Sequence, residues 1–164
     1  MKGSAKVLRV LNDCLAAELT AINEYIVHSE MCADWGYSRL AGQVKMEAIE
    51  EMRHAEQLIE RILYLEGMPN MEKKLSIKIG TTVKEQFSND LALEYNAVKR
   101  LNKGIALTSA ESDAGSQELL KTILVDEEKH IEFLEAQLEQ IKQMGIQNYL
   151  ANQAALSAAG GPPA

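Results

Sequence analysis

The chain has 164 residues, enough for one domain with a buried core, and a net charge of −7. Apolar residues make up 46% of it, and it has only 3 prolines and 10 glycines, which argues against disorder and against a β-sandwich. Aromatic residues are scarce at 5%, and acidic residues outnumber basic ones. Since nucleic-acid binding needs basic or stacking surfaces, we expect cations rather than nucleic acid as partners.

The N-terminus and the cysteines predict a cytoplasmic protein. The first residues run into an amphipathic pattern without an apolar signal sequence, and no stretch approaches the roughly 18 apolar residues of a membrane span. Cys14 and Cys32 fall on one predicted helix, where a rise of 1.5 Å per residue places them about 27 Å apart. A disulfide between them is excluded at that distance, which is typical of a reducing compartment.

Helix-breaking residues divide the chain into four long segments with helical spacing of apolar residues. The predicted helices run from the N-cap Ser4 to Trp35-Gly36, from Ser38 to Gly67, from the capping box Thr82-x-x-Glu85 to a weak break at residues 112–115, and from about Ser116 to Gly145. A short fifth helix is predicted from Gln147 to about Leu156, and residues 158–164 are predicted to form a flexible tail after a bundle spanning residues 1–157.

The lengths of the connections predict the topology. The first and third connections are short, so each joins two antiparallel helices. The middle connection, residues 67–80, is 14 residues long and can return the chain along the length of the bundle. We therefore predict an all-α, ferritin-like four-helix bundle with one long crossover and a short fifth C-terminal helix.

One glutamate on each predicted long helix lies within the apolar stripe instead of on the polar face. These residues are Glu18, Glu51, Glu94 and Glu127. A single buried carboxylate is costly and would take up a proton. Four of them near the middle of four helices need a shared counter-charge, which a pair of metal ions would supply.

Two of the three histidines strengthen this interpretation. His54 follows Glu51 by three positions and His130 follows Glu127 by three, so each pair shares one helix face. A single Glu-x-x-His is compatible with a surface ion pair, but one glutamate from each of two helices plus a Glu-x-x-His from each of the other two is the di-iron or di-manganese carboxylate set. The pattern also repeats, because a shift of 76 positions superimposes all six residues, which predicts a pseudo-twofold metal site.

Three further residues have two interpretations each. Tyr25 lies two turns beyond Glu18, where it would either donate a hydrogen bond to a ligand carboxylate or be a core tyrosine. Glu47 is predicted to be a solvated glutamate, with a place beside the metal site as the alternative. His28 lacks the Glu-x-x-His pattern and is predicted to lie on the surface or at an interface.

Over about residues 1–152 the sequence resembles the bacterioferritins, the haem-containing ferritins of bacteria. Besides the six Glu and His residues, the resemblance rests on residues 61–67 (RILYLEG), 90–94 (DLALE) and 144–150 (MGIQNYL). It implies a ferroxidase site in which Glu51 and Glu127 bridge two irons, while Glu18 with His54 and Glu94 with His130 bind terminally. It further implies a hollow 24-mer storing ferric mineral, haem b held at each twofold interface by Met52 of two subunits, and a [2Fe–2S] ferredoxin as electron donor.

The chain departs from the family pattern at an inner-surface iron site that some members have. Met46 stands where relatives often carry histidine, and Glu50 where aspartate is common, which puts that site in doubt. Two alternatives remain beside iron storage with O₂ or H₂O₂ as oxidant. One is a peroxide-detoxifying di-iron protein of rubrerythrin-like chemistry, and the other is a haem-binding shell subunit that co-assembles with a second subunit type.

Overall fold

The computed structural model describes residues 1–73 and 75–154, which form four long helices and one short one. The helices are α1 (Ala5–Asp34), α2 (Ser38–Tyr64), α3 (Val83–Ala110), α4 (Ala114–Met144) and α5 (Ile146–Ala151). The predicted all-α bundle with one long crossover is thereby confirmed. Within the described part of the chain, no helix combines the length and hydropathy needed to cross a membrane.

Side-chain caps fix where the long helices begin. Ser4 Oγ accepts hydrogen bonds from two backbone N–H groups of the first turn of α1, and Thr82 Oγ1 accepts one from Glu85 at the start of α3. Helix α4 begins two residues earlier than predicted, because the carboxylate of Asp113 accepts the N–H of Ser116 and serves as the N-cap.

The end of the chain differs in length from the prediction. Helix α5 ends at Ala151, several residues before the predicted end near Leu156, and turn residues follow it. The predicted end of the bundle at residue 157 and the predicted tail at residues 158–164 lie outside the described residues.

The bundle interior consists of two apolar clusters with a polar layer between them. Helices α1 and α2 pack most extensively on each other, as do α3 and α4. One apolar cluster surrounds Leu11, Leu58 and Ile123, and the other surrounds Val44 and Phe87. The glutamates and histidines singled out in the sequence lie between these clusters, where α1 to α4 all contribute to one buried layer.

The crossover between α2 and α3 is bound to α1 by a row of polar side chains. Thr20, Glu24 and His28 follow one another at intervals of four residues and therefore share one face of the helix. Each accepts one backbone N–H of the crossover, pairing Thr20 with Leu75 (2.8 Å), Glu24 with Lys78 (3.0 Å) and His28 with Gly80 (3.0 Å). These bonds satisfy backbone donors that lack a helical or sheet partner.

The prediction for His28 was wrong, since this side chain is fully buried within a single chain. Its Nε2 accepts the N–H of Gly80, so Nδ1 carries the proton and donates it to Asp90 Oδ1 at 2.9 Å. Burial raises the pKa of Asp90, and the hydrogen bond from His28 partly offsets this rise. His28 is thus a structural residue that joins α1, α3 and the crossover.

Replacing His28 by leucine should lower the free energy of unfolding by about 3–5 kcal/mol, because it leaves the buried Asp90 carboxylate without its partner. The double variant His28→Leu/Asp90→Leu should recover much of this loss, since both polar groups are then removed together. Chemical denaturation of the three proteins at equal concentration measures both effects. A double variant as unstable as the single one would contradict this account.

Candidate metal centre

Six of the predicted site residues meet in the polar layer at the middle of the bundle. All are at least 95% buried: Glu18, Glu51, His54, Glu94, Glu127 and His130. Helices α2 and α4 each supply a Glu-x-x-His pair from one face, and α1 and α3 each supply one glutamate. Since the apolar clusters close the layer on both sides, the site is enclosed by the bundle itself.

The six side chains form two groups that share Glu51 and Glu127. One group adds Glu18 and His54 to the shared pair, and the other adds Glu94 and His130. In each group, one ligand atom from every residue lies within 4.8 Å of those of the others. Each group offers three carboxylates and one imidazole.

The two oxygens of each shared glutamate point to different groups. His54 Nδ1 lies 3.2 Å from Glu51 Oε2 and 3.4 Å from Glu127 Oε1. His130 Nδ1 lies 2.9 Å from Glu51 Oε1 and 3.1 Å from Glu127 Oε2. A carboxylate that offers one oxygen to each of two neighbouring groups has the arrangement of a bridging ligand.

Several buried polar atoms in this layer lie close together without a well-aligned hydrogen bond. They are Glu51 Oε1, Glu127 Oε2 and His130 Nδ1. Leaving such groups unsatisfied is costly in a protein interior. Two divalent cations would fit the site because they would pair these atoms and balance the charge of four carboxylates, and mixed oxygen and nitrogen ligands suit iron, manganese or zinc.

Burial and mutual repulsion act on the terminal carboxylates. Burial raises the pKa of Glu18 well above its usual value, and the charges of Glu127 and Glu51 raise it further. The pKa of Glu94 is raised in the same way by burial and by Glu127. Without a cation, the site therefore favours the protonated form of both residues.

The pKa values of the two histidines and of Glu51 are shifted in the directions that favour ion pairs between them. Burial by itself would raise the pKa of Glu51, but hydrogen bonds from His130 and His54 outweigh it and lower this pKa to about 2. Burial by itself would lower the pKa of His54, but hydrogen bonds to the surrounding glutamates raise it to about 12. The pKa of His130 is raised well above its usual value for the same reason.

Tyr25 forms the hydrogen bond to a site carboxylate that was the first of its two predicted roles. Its side chain is 3% exposed and its hydroxyl donates a hydrogen bond to Glu94 Oε1. Because this bond fixes one oxygen of Glu94, Tyr25 orients the carboxylate.

The prediction that Glu47 is solvated was wrong, and its alternative holds. Its side chain is only 14% exposed, and its Oε2 lies 2.9 Å from His130 Nε2. Glu50 Oε2 lies at the same distance from that nitrogen. Sequence reasoning missed this contact because both residues are on α2 and their partner is on α4, so periodicity along one helix does not reveal it.

Met52 lies apart from the six residues, on the outer face of α2. Its side chain is 46% exposed, although its neighbour Glu51 is buried. Ile26 and Val27 of α1 are exposed to a similar degree. An exposed thioether is available to bind a group at the surface of the subunit. Met46 is likewise exposed, so that side chain lies outside the buried layer.

The fold and the buried Glu and His layer are those of a ferritin-like protein, and the ferritin-like domain family matches residues 8–144. A bacterioferritin of Mycolicibacterium paratuberculosis is 46% identical over 151 residues, covering 92% of this chain and 95% of its own length. A bacterioferritin of Streptomyces coelicolor is 41% identical, with coverages of 92% and 90%. The solved structure of Mycobacterium tuberculosis bacterioferritin, BfrA, has a TM-score of 0.93 and 45% identity, covering 94% of this chain and 98% of its own. The chain belongs to the bacterioferritin family of iron-storage ferritins, as the sequence resemblance predicted.

Proposed function

We propose that the chain is a ferroxidase that oxidises Fe(II) within each subunit and stores the ferric product in a cage. The observation that carries this proposal is the pair of overlapping ligand groups that share Glu51 and Glu127. In the proposed roles, Glu51 and Glu127 bridge two Fe(II) substrates. Glu18 with His54 and Glu94 with His130 bind one iron each.

Charge supports the proposal as well as geometry. With both imidazoles neutral, the site holds four negative charges, which balance two Fe(II) ions. Conversion of both ions to Fe(III) adds two positive charges, which the four carboxylates alone do not balance.

Each Fe(II) gives one electron. With O₂ as oxidant, two Fe(II), O₂ and two protons yield two Fe(III) and H₂O₂. With H₂O₂ as oxidant, two Fe(II), H₂O₂ and two protons yield two Fe(III) and two H₂O. The protein residues hold both irons in one water-poor layer and set the proton balance. In the metal-free site Glu18 and Glu94 are favoured in the protonated form, so both must lose a proton when a metal ion binds. A cavity of about 200 Å³ is lined by His54 together with Glu50, Arg53 and Asp126 among others, and we propose that ions enter the layer from it.

Oxidation is tested by adding Fe(II) anaerobically to the full-chain protein, admitting O₂, and following the ferric absorbance. We expect a fast phase that saturates at about two irons per chain, followed by slow growth at higher loading. A fast phase without later growth would indicate a di-iron oxidase or peroxidase of the rubrerythrin-like kind that stores no iron. Absence of the fast phase would contradict the proposed ferroxidase.

The cage and its haem are a further part of the proposal. We propose a 24-mer in the cytoplasm, with haem b bound between Met52 of two subunits and a [2Fe–2S] ferredoxin supplying electrons for iron release. The exposed side chain of Met52 fits this role, since methionine sulfur is one of the axial ligands that proteins offer to haem iron. Native mass determination tests the subunit number, and two distinct subunit masses from the native source would indicate co-assembly with a second chain.

Replacing Met52 by leucine should abolish haem binding while leaving the fast Fe(II) oxidation phase intact. Leucine keeps the apolar volume but offers no ligand, and residue 52 lies outside the buried layer. The haem absorbance per subunit after reconstitution measures the effect. The matched control is Met46→Leu, another exposed methionine of α2, which should keep full haem content. Unchanged haem binding in Met52→Leu would contradict the assigned ligand.

A further inference from the structure

The shift of 76 positions that superimposes the six site residues also relates their neighbours. It pairs Glu50 with Asp126, the residues that directly precede Glu51 and Glu127. Glu50 Oε2 lies 2.9 Å from His130 Nε2, and Asp126 Oδ2 lies 3.4 Å from His54 Nε2. Each imidazole therefore directs Nδ1 into the layer and Nε2 to a carboxylate from the facing helix.

This pseudo-symmetry is broken in two places. Glu47 Oε2 lies 2.9 Å from His130 Nε2, within ion-pair distance, although the hydrogen bond of that nitrogen is to Glu50, whereas the equivalent position near His54 is the apolar Ile123. In addition, the Lys129 ammonium lies 2.7 Å from Asp126 Oδ1 and draws charge away from His54.

The basic residue equivalent to Lys129 does not neutralise the carboxylates near His130. Arg53 corresponds to Lys129, but it forms no ion pair with any residue of the described ranges 1–73 and 75–154. Gln43 Nε2 donates a hydrogen bond to Glu47 Oε1 at 2.7 Å, which holds Glu47 in place. The two carboxylates near His130 thus form no ion pair with a lysine or arginine of those ranges, whereas the one near His54 is shared with a lysine.

A carboxylate that accepts the N–H of a metal-binding imidazole fixes its orientation and makes it a more basic ligand, and losing such a partner typically costs 10–100-fold in metal affinity. We infer that Glu47 and Glu50 are positioning residues for His130, and that they make the half-site of Glu94 and His130 the first to bind a divalent ion. The half-site of Glu18 and His54 fills second. This inference rests on the proposed dinuclear site.

Calorimetric titration of the metal-free full-chain protein with Co(II) tests the order of filling, since Co(II) binds similar ligands without consuming O₂. The wild-type protein should bind about two Co(II) per chain in a tight and a weaker step. The variant His54→Ala should keep the tight step, and His130→Ala should lose it. The opposite pattern, or equal loss of the tight step in both, would overturn the inference.

Milder variants test the positioning residues themselves. Glu47→Gln/Glu50→Gln should weaken the first step by about 10–100-fold and leave the second largely unchanged. Asp126→Asn, at the position equivalent to Glu50, should weaken the second step instead. Glu56→Gln, an exposed neighbour on α2, should leave both steps unchanged. Circular dichroism of each variant establishes that it is folded.

A second readout does not depend on affinity. In the Co(II)-loaded protein, each ligating imidazole has one exchangeable N–H proton with a paramagnetically shifted resonance. Exchange with solvent should become faster for one signal in Glu47→Gln/Glu50→Gln and for the other in Asp126→Asn. If both variants affect the same signal, or neither signal changes, the inference fails while a dinuclear site remains. Absence of any Co(II) binding in the wild-type protein would overturn both the inference and the proposed function.

Discussion

Alanine at Glu51 or at Glu127 should abolish the fast phase of Fe(II) oxidation. Each residue offers one oxygen to each half of the site, so its loss removes a ligand from both irons at once and also the link between them. Loss of a group that merely supports a ligand costs about 10–100-fold in metal affinity, and loss of a shared ligand should exceed that range. Stopped-flow absorbance at about two Fe(II) per chain measures the rate.

Matched controls separate this effect from a general change in charge. Glu56 lies on α2 and Glu128 on α4, and both side chains are exposed. Alanine at either position removes the same charge from the same helix, yet the fast phase should be unchanged. If Glu51→Ala or Glu127→Ala oxidised Fe(II) as fast as these controls, the bridging assignment would be wrong.

The main features of the fold followed from local patterns in the sequence. Glycine and capping residues marked the helix ends, and the length of residues 67–80 alone favoured a crossover over a simple up-down bundle. The site could be predicted from the sequence for a related reason. A glutamate such as Glu18 within an apolar stripe conflicts with the energetics of a folded core, so its position already indicates a counter-charge.

The residues that the sequence did not place correctly depend on contacts between distant elements. The role of His28 depends on the path of the crossover, because its partners are Gly80 and Asp90. The contact of Glu47 with His130 depends on how α2 and α4 face each other. One signal was present for His28, since polar side chains at intervals of four residues on a largely buried face of α1 indicate an element packed along it.

The metal-free protein should lose stability as the pH rises from about 5 to 8. The pKa values of Glu18 and Glu94 are raised in the folded state, mainly by burial. Above their ordinary values near 4.5, the folded state binds more protons than the unfolded state, and deprotonation therefore destabilises it. The raised pKa of His54, about 12, has the same sign above 6.5, because the folded state keeps a proton that the unfolded state loses. Each proton involved contributes a slope of about 1.4 kcal/mol per pH unit.

Glu51 acts in a different pH range. Its pKa is lowered to about 2, so its contribution is present above 4.5 and is lost only as the pH falls towards 2. Between pH 5 and 8 the groups with raised pKa values therefore determine how steeply the stability falls with pH. Replacing Glu94 by glutamine should make this slope shallower and raise the stability of the metal-free protein towards pH 8, since it removes one buried carboxyl group whose deprotonation destabilises the folded state.

Divalent metal should reverse the trend. Binding requires ionised glutamates and neutral histidines, so it releases protons and strengthens as the pH rises. Ligand at 100 times its dissociation constant stabilises a folded protein by about 2.7 kcal/mol per site, and this gain should grow with pH as the affinity does. Thermal unfolding from pH 5 to 8, with Co(II) or with chelator at equal protein concentration, should give melting temperatures that diverge towards high pH. Parallel curves would contradict binding at these six residues, because ions bound there must displace the protons that Glu18 and Glu94 hold in the metal-free layer.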